Sequence, residues 1–111
     1  YGNHLRDFTH VDDVKMIIKK LINKKIGKKF QIFNISSNKP INILKLISAV
    51  SKITSISPKI IKIEKHKADV LKTHGSNIKI KKYLNLKKFR NIYNELLPIV
   101  KWYKDNKFYK F

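Results

Sequence analysis

The stretch that decides the fold lies near the start of the chain and runs Arg6-Asp7-Phe8-Thr9-His10-Val11-Asp12-Asp13-Val14. Thr9 or His10 can cap a helix that begins here. Asp12 and Asp13 would then lie in its first turn, where the helix dipole favours negative charge. Capping leaves Arg6 unexplained, although this arginine precedes a helix N-terminus that could help to hold an anion. The stretch therefore indicates a phosphate site as well as a helix.

Apolar residues at spacings of three and four predict four amphipathic helices. Gly27 is predicted to close the first helix in a left-handed conformation. Asn42 is predicted to cap the second. The predicted helices cover residues 11–22, 43–53, 77–84 and 92–103. In the last helix, Pro98 removes one backbone hydrogen bond, so either the helix starts late, with Pro98 in its first turn, or it is kinked there. The tail from Lys104 to Phe111 is expected to fray.

Two short runs rich in β-branched and aromatic residues, Phe30–Ile35 and Lys59–Glu64, predict strands, the first of them buried on both faces. Helices that alternate with strands over short connections predict one α/β domain over residues 1–111. Two strands are too few for an independent sheet. Because the chain also begins at Tyr1 without an initiator methionine, we expect a fragment.

Composition bounds the class of protein. Hydrophobic residues make up 42% of the chain, which is enough for a core, and the absence of cysteine excludes disulfides and thiolate metal sites. No apolar run reaches the roughly 20 residues that span a bilayer. We therefore expect a cytoplasmic protein without a membrane partner.

The net charge of +19 raises the possibility of a nucleic-acid or other polyanion partner. However, the chain contains 24 lysines and two arginines, together with 18 isoleucines and 10 asparagines. Codons made of A and T alone can encode lysine, isoleucine and asparagine, so coding bias would raise the lysine content of any tolerant surface. Nucleic-acid readers usually add arginine forks to lysine. We favour the biased surface over a nucleic-acid partner.

Other motifs carry little chemistry. The four histidines share no metal-ligand spacing, and Gly2, Gly27 and Gly75 form no phosphate loop. Tyr83 and Tyr103 each precede a lysine by four positions, the spacing of a dehydrogenase catalytic pair. In a chain so rich in lysine, about one such match is expected by chance, and we interpret both as accidental.

The opening stretch resembles the R-D-[FY]-[TI]-[HY]-V-x-D block of NAD-dependent epimerases and dehydratases, which are extended short-chain dehydrogenases/reductases. Further blocks resemble this family in the same order, and UDP-glucuronate 4-epimerase is the nearest subfamily. These blocks are Phe33-Asn34-Ile35-Ser36 (F/Y-N-I-G), Pro40-Ile41-Asn42-Ile43, Asp69-Val70-Leu71-Lys72-Thr73 (G-D-V-x-x-T) and Trp102-Tyr103 (W-Y). The resemblance implies the C-terminal substrate-binding portion of such an enzyme, with the Rossmann domain and the catalytic residues missing from this chain.

The resemblance also implies a UDP-sugar substrate, NAD bound mainly by the missing domain, and a homodimer as the full-length enzyme. By position, Arg6 would contact the diphosphate and Asp69 the ribose hydroxyls. His66 falls where relatives place a phosphate-contacting arginine or a glutamine. The same blocks also suit a nucleotide-sugar dehydratase or a UDP-glucose 4-epimerase.

Some alternatives remain open at this point. Arg6 could pair at the surface with Asp7 or Asp12, and Asp69 could be an ordinary loop residue. The sequence also departs from the family pattern in the loop of residues 65–76, because Ala68 replaces glycine and Gly75-Ser76 replaces Ala-Asp. A degenerate member that keeps the fold without activity would show such changes.

Overall fold

A computed structural model describes residues 2–25, 27 and 30–106. In this part of the chain there are four helices and one sheet of two strands, which make an α/β fold. The elements are β1 (Leu5–Arg6), α1 (Val11–Ile22), β2 (Ile41–Asn42), α2 (Ile43–Thr54), α3 (Ile78–Leu84) and α4 (Ile92–Asp105).

Strand β1 is held along both edges. On one edge it pairs antiparallel with β2, so that Leu5 lies opposite Asn42 and Arg6 opposite Ile41. On the other edge, the Leu5 N–H donates to the Leu71 carbonyl over 2.9 Å, and the Thr73 N–H donates to the Leu5 carbonyl over 3.0 Å. Two distant segments, β2 and residues 71–73, thus fix the backbone from which the Arg6 side chain projects.

Helix α1 begins as the sequence predicts. Nδ1 of His10 accepts a hydrogen bond from the Asp12 N–H over 3.2 Å, which makes His10 the N-cap rather than Thr9. The prediction that Gly27 closes this helix is wrong. The helix ends at Ile22, where the backbone N–H of Asn23 bonds back to carbonyls of the last turn, and Gly27 does not have positive φ.

Neither predicted strand forms a ladder among the described residues. From Phe30 to Ile35, exposed and half-buried side chains alternate: Phe33 and Ile35 pack against the core, whereas Phe30 and Ile32 are 78% and 66% exposed. The expectation of two buried faces was therefore wrong for this segment. Residues 59–64 are exposed throughout. Without a described neighbouring strand, the backbone groups of these segments have no ladder to join.

The remaining helices match their predicted positions closely. The side chain of Asn42 caps α2 by accepting from the Leu44 and Lys45 N–H groups. Helix α4 starts at Ile92 and continues through Pro98, so the alternative of a late start was wrong. It also runs to Asp105, which contradicts the fraying expected from Lys104; residues 107–111 of that tail lie outside the described residues.

The core lies between α1, α3 and the segment that follows α3. Ile17 and Ile80 are completely buried and meet Leu84 and Phe89. The Phe33 and Tyr83 rings pack on this cluster with their centroids 4.8 Å apart. Helices α2 and α4 form a second pair, which buries Leu96.

Candidate functional site

Arg6 and Asp69 are 63 positions apart in the sequence and form an ion pair in the fold. Nη2 of Arg6 donates to Oδ1 of Asp69 over 2.7 Å, and Nη1 donates to the Leu5 carbonyl over 3.0 Å. The side chains of Arg6 and Asp69 are 24% and 35% exposed. The partner of Arg6 is therefore Asp69. The alternative that Arg6 pairs with Asp7 or Asp12 was wrong.

The second carboxylate oxygen of Asp69 meets His4. Nε2 of His4 lies 2.5 Å from Oδ2 of Asp69. Burial raises the pKa of Asp69, but the hydrogen bond and charge of His4 and the charges of Arg6 and Lys65 outweigh it, so the pKa lies below 3.8. An ionised carboxylate only accepts hydrogen bonds, hence Nε2 of His4 is the donor. Asp69 is thus held through both oxygens, by two residues of one strand region.

His66 shapes the turn that carries Asp69. Its carbonyl accepts the Asp69 N–H over 3.0 Å, and Nδ1 of its ring accepts the Ala68 N–H over 3.2 Å. The ring itself is exposed. The structure therefore shows His66 supporting the turn that carries Asp69 through its backbone carbonyl. Its ring contacts the Ala68 N–H of the same turn.

Asp7 ties together the loops on which the site rests. Its carboxylate accepts hydrogen bonds from the Ser37 hydroxyl and from three backbone N–H groups, while its own N–H donates to Oγ1 of Thr73 over 3.1 Å. The three backbone donors are those of Asn38 (3.1 Å), Lys39 (3.4 Å) and Gly75 (3.1 Å).

The pKa of Asp7 reflects this environment. Burial raises it, but the hydrogen bonds from Ser37, Gly75, Lys39 and Asn38 together outweigh burial and bring the pKa below 3.8. Asp7 is therefore ionised at neutral pH. Next to Arg6 in the sequence, it joins the segments 36–39 and 73–75.

Gly75 approaches Ser36 closely. A Cβ placed on Gly75 would lie 2.6 Å from both Cβ and Oγ of Ser36, a separation at which something must move. Next to this contact, Nδ2 of the buried Asn77 donates to the Ser36 and Ser37 carbonyls over 2.9 and 3.2 Å. Glycine at position 75 therefore leaves the space that the Ser36 side chain occupies.

A second charged cluster joins α1 to α4 and does not include Arg6. The buried carboxylate of Asp13 accepts the Arg90 N–H over 2.8 Å, and Nη1 of Arg90 donates to Glu95 over 3.3 Å. Asp12 accepts from Lys15 over 3.1 Å. These contacts stabilise the helix start that the opening stretch predicts.

The sequence missed His4 and the role of Asp7. Residues 4 and 6 lie on one face of an extended strand because side chains alternate. Strand β1 has only two residues, however, which is too short for an alternating pattern to predict it. A carboxylate that accepts from loop N–H groups 31 to 68 positions away likewise leaves no local pattern.

The Arg6–Asp69–His4 cluster can bind a ligand that carries both hydroxyls and negative charge. Arg6 has five N–H donors, of which two are used in the bonds above. Each Asp69 oxygen can accept a further hydrogen bond. A partly exposed guanidinium beside a partly exposed carboxylate thus presents donors for a phosphate and acceptors for a diol at adjacent positions.

Comparisons with known proteins agree with the fold. No protein-family model matches this chain. The uncharacterised protein MJ1055 of Methanocaldococcus jannaschii is 31% identical over 107 residues, which cover 96% of this chain and 32% of that protein. The structure of RMD from Pseudomonas aeruginosa, complexed with NADPH, superposes with a TM-score of 0.76 at 22% identity, over 89% of this chain and 32% of RMD. The chain therefore spans about a third of the length of each.

The part of the chain that the structure describes contains neither a membrane-spanning helix nor a cluster of metal ligands. None of its helices has the length and apolar character needed to cross a membrane. None of its histidine, aspartate and glutamate side chains gathers in a group of three or more that could hold a metal ion.

Proposed function

We propose that this chain is the substrate-binding portion of an NAD-dependent nucleotide-sugar epimerase, most similar to UDP-glucuronate 4-epimerase. The observation that carries the proposal is the meeting of Arg6 with Asp69 at 2.7 Å. Two residues singled out by separate sequence blocks, for two parts of one nucleotide, lie side by side on the fold. A dehydratase or a UDP-glucose 4-epimerase of the same superfamily would use the same pair.

The chemistry of the two side chains matches a nucleoside diphosphate. A planar guanidinium binds two phosphate oxygens at once, which a lysine does not. Asp69, ionised and about one-third exposed, accepts hydrogen bonds from the ribose hydroxyls. Strand β1 and the turn at His66 fix both groups before a ligand arrives, and this lowers the entropy lost on binding.

A nicotinamide cofactor is part of the proposal, and the fold shared with a protein solved with NADPH supports it. The residues of this chain do not themselves provide a cradle for that cofactor, because its three glycines are isolated from one another. Oxidation and reduction of the sugar, which the cofactor supplies in such enzymes, therefore require residues beyond these 111. The role proposed for this chain is to bind and orient the nucleotide.

The test is Arg6→Ala in the complete gene product. Since hydrogen bonds to charged groups contribute about 1.5–3 kcal/mol, its affinity for UDP, measured by titration calorimetry, should fall by roughly 10- to 100-fold. Arg90→Ala removes the same side chain from the α1–α4 cluster and should leave UDP affinity within about twofold. Unchanged affinity in Arg6→Ala would reject the diphosphate role. The reaction itself is tested by incubating the unaltered enzyme with a UDP-sugar and using chromatography to detect epimerisation at C4.

A further inference from the structure

The bond between His4 and Asp69 has no counterpart in the proposed function. The His4 side chain is 15% exposed, and its backbone carbonyl accepts the Ile43 N–H over 3.1 Å, so the strand holds it in place. Its Nε2 lies 2.5 Å from Oδ2 of Asp69, while Arg6 binds the other oxygen. The carboxylate is thus divided between two donors from the same strand region.

Without His4, the carboxylate would have a different preferred geometry. A carboxylate beside an arginine favours the bidentate arrangement, in which both oxygens face two N–H groups of one guanidinium. In that arrangement Arg6 and Asp69 would satisfy each other, and fewer of their donors and acceptors would face a ligand. His4 opposes this closure because it holds Oδ2 away from the guanidinium.

We infer that His4 is a positioning residue that keeps Asp69 turned toward the ribose of a bound nucleotide and keeps Arg6 open to its diphosphate. The inference rests on the proposed function and adds a residue to the same site. The charged groups that face Asp69 are Arg6 and His4 from the β1 region and Lys65 from the preceding loop. His4 shares the carboxylate with Arg6, each through a hydrogen bond to a different oxygen.

The experiment compares UDP with 2′-deoxyuridine diphosphate, by titration calorimetry on the complete gene product. The unaltered protein should prefer UDP by roughly 10- to 100-fold, the range expected for one hydrogen bond to a charged group. In His4→Leu the carboxylate turns to Arg6, so this preference should fall below about twofold and UDP affinity should drop by roughly 10- to 100-fold. In His4→Gln an amide N–H replaces Nε2, and the preference should return.

The ratio of the two affinities separates positioning from general damage. A variant that merely disturbs the fold lowers the affinity for both ligands by the same factor and leaves the ratio of the two affinities unchanged. Asp69→Asn should lose the preference as His4→Leu does, and Arg90→Ala should keep it.

The outcomes divide cleanly. If UDP binds and His4→Leu retains the ribose preference, or if His4→Gln loses it equally, His4 does not position Asp69. If UDP binds without any ribose preference in the unaltered protein, the inference also fails while the diphosphate role of Arg6 stands. If UDP does not bind at all, the proposed function itself is rejected.

Discussion

At the scale of single residues, Asp7 joins two separate loops through its carboxylate. One carboxylate accepts hydrogen bonds from two loops that the sequence separates by more than 30 positions. Leaving such donors without a partner costs about 1–3 kcal/mol. Asp7 therefore decides whether the segments that flank Arg6 stay together.

The lowered pKa of Asp7 makes stability depend on pH. A carboxylate whose pKa is lower in the folded state than its unfolded value of 3.8 contributes stability above that value, and the contribution is lost as the pH falls through the folded pKa. Thermal midpoints should therefore decline as the pH falls below about 5. Asp7→Asn should be less stable at pH 7 and decline less on acidification, as followed by circular dichroism. Parallel pH profiles for the two proteins would contradict this assignment.

Gly75 is required for a steric reason. A methyl group there would lie 2.6 Å from Ser36, which is a short side chain on a buried backbone and cannot swing away. Gly75→Ala should destabilise the protein by about 1–3 kcal/mol, the usual result of overpacking.

The compensating substitution tests that explanation. Ser36→Gly in the same protein should restore most of the lost stability, because it removes the atoms that the methyl group meets. Thermal or denaturant unfolding of both single variants and the double variant gives the coupling between them. Additive effects would show that the contact at 2.6 Å is not the cause.

At the scale of elements, the helices were predictable and the strands were not. Periods of three and four, with His10 and Asn42 as caps, are local signals, and α1 and α2 follow them to within one residue at most. A strand forms only where a partner strand lies beside it, and sequence does not show the partner. The run Phe30–Ile35 therefore has the composition of a strand but pairs with no described strand. Leu5–Arg6 pairs with β2 although its composition does not predict a strand.

The candidate site shows the same division. Arg6 and Asp69 were predicted through blocks of sequence, but their contact with each other was not, because nothing in either block refers to the other. His4 has no block of its own, and its role depends on a strand of two residues. The contacts among Arg6, Asp69 and His4 are tertiary, so the structure shows them and the sequence does not.

Helix α4 contains a proline that local rules disfavour. Pro98 lies seven positions into the helix and cannot donate a hydrogen bond to the turn before it. Pro98→Ala should stabilise the protein by about 1 kcal/mol, because the gain in helix propensity exceeds the entropy returned to the unfolded chain. Pro58→Ala, outside any helix, should give no such gain in thermal midpoint. A loss of stability in Pro98→Ala would mean that packing of α4 requires the proline.

At the scale of the whole molecule, much apolar surface faces outward. Phe30, Ile32 and Trp102 are mostly exposed, and an apolar cleft of about 440 Å³ lies between α2 and α4, lined by Val50 and Leu96 among others. Lysines, in contrast, occur on all four helices. Such apolar exposure marks surfaces that associate with other protein.

Residues 1–111 expressed alone should therefore self-associate and bind a hydrophobic dye. The combined substitution of Phe30→Ser and Ile32→Ser should reduce both effects, because it removes apolar area from one face of the segment 30–35 without touching Phe33 or Ile35. Sedimentation velocity and dye fluorescence measure the two effects. A monomeric chain that leaves the dye dark would contradict the expectation.

The position of β1 between β2 and residues 71–73 has a kinetic consequence. Leu5 can bond to Leu71 only after 65 intervening residues have been made and brought back, and contacts of such long range form slowly because loop closure must precede them. Helices α1 and α2 need no such closure. During synthesis α1 and α2 can therefore form before β1 bonds to residues 71–73, whereas α3 and α4 leave the ribosome after these residues.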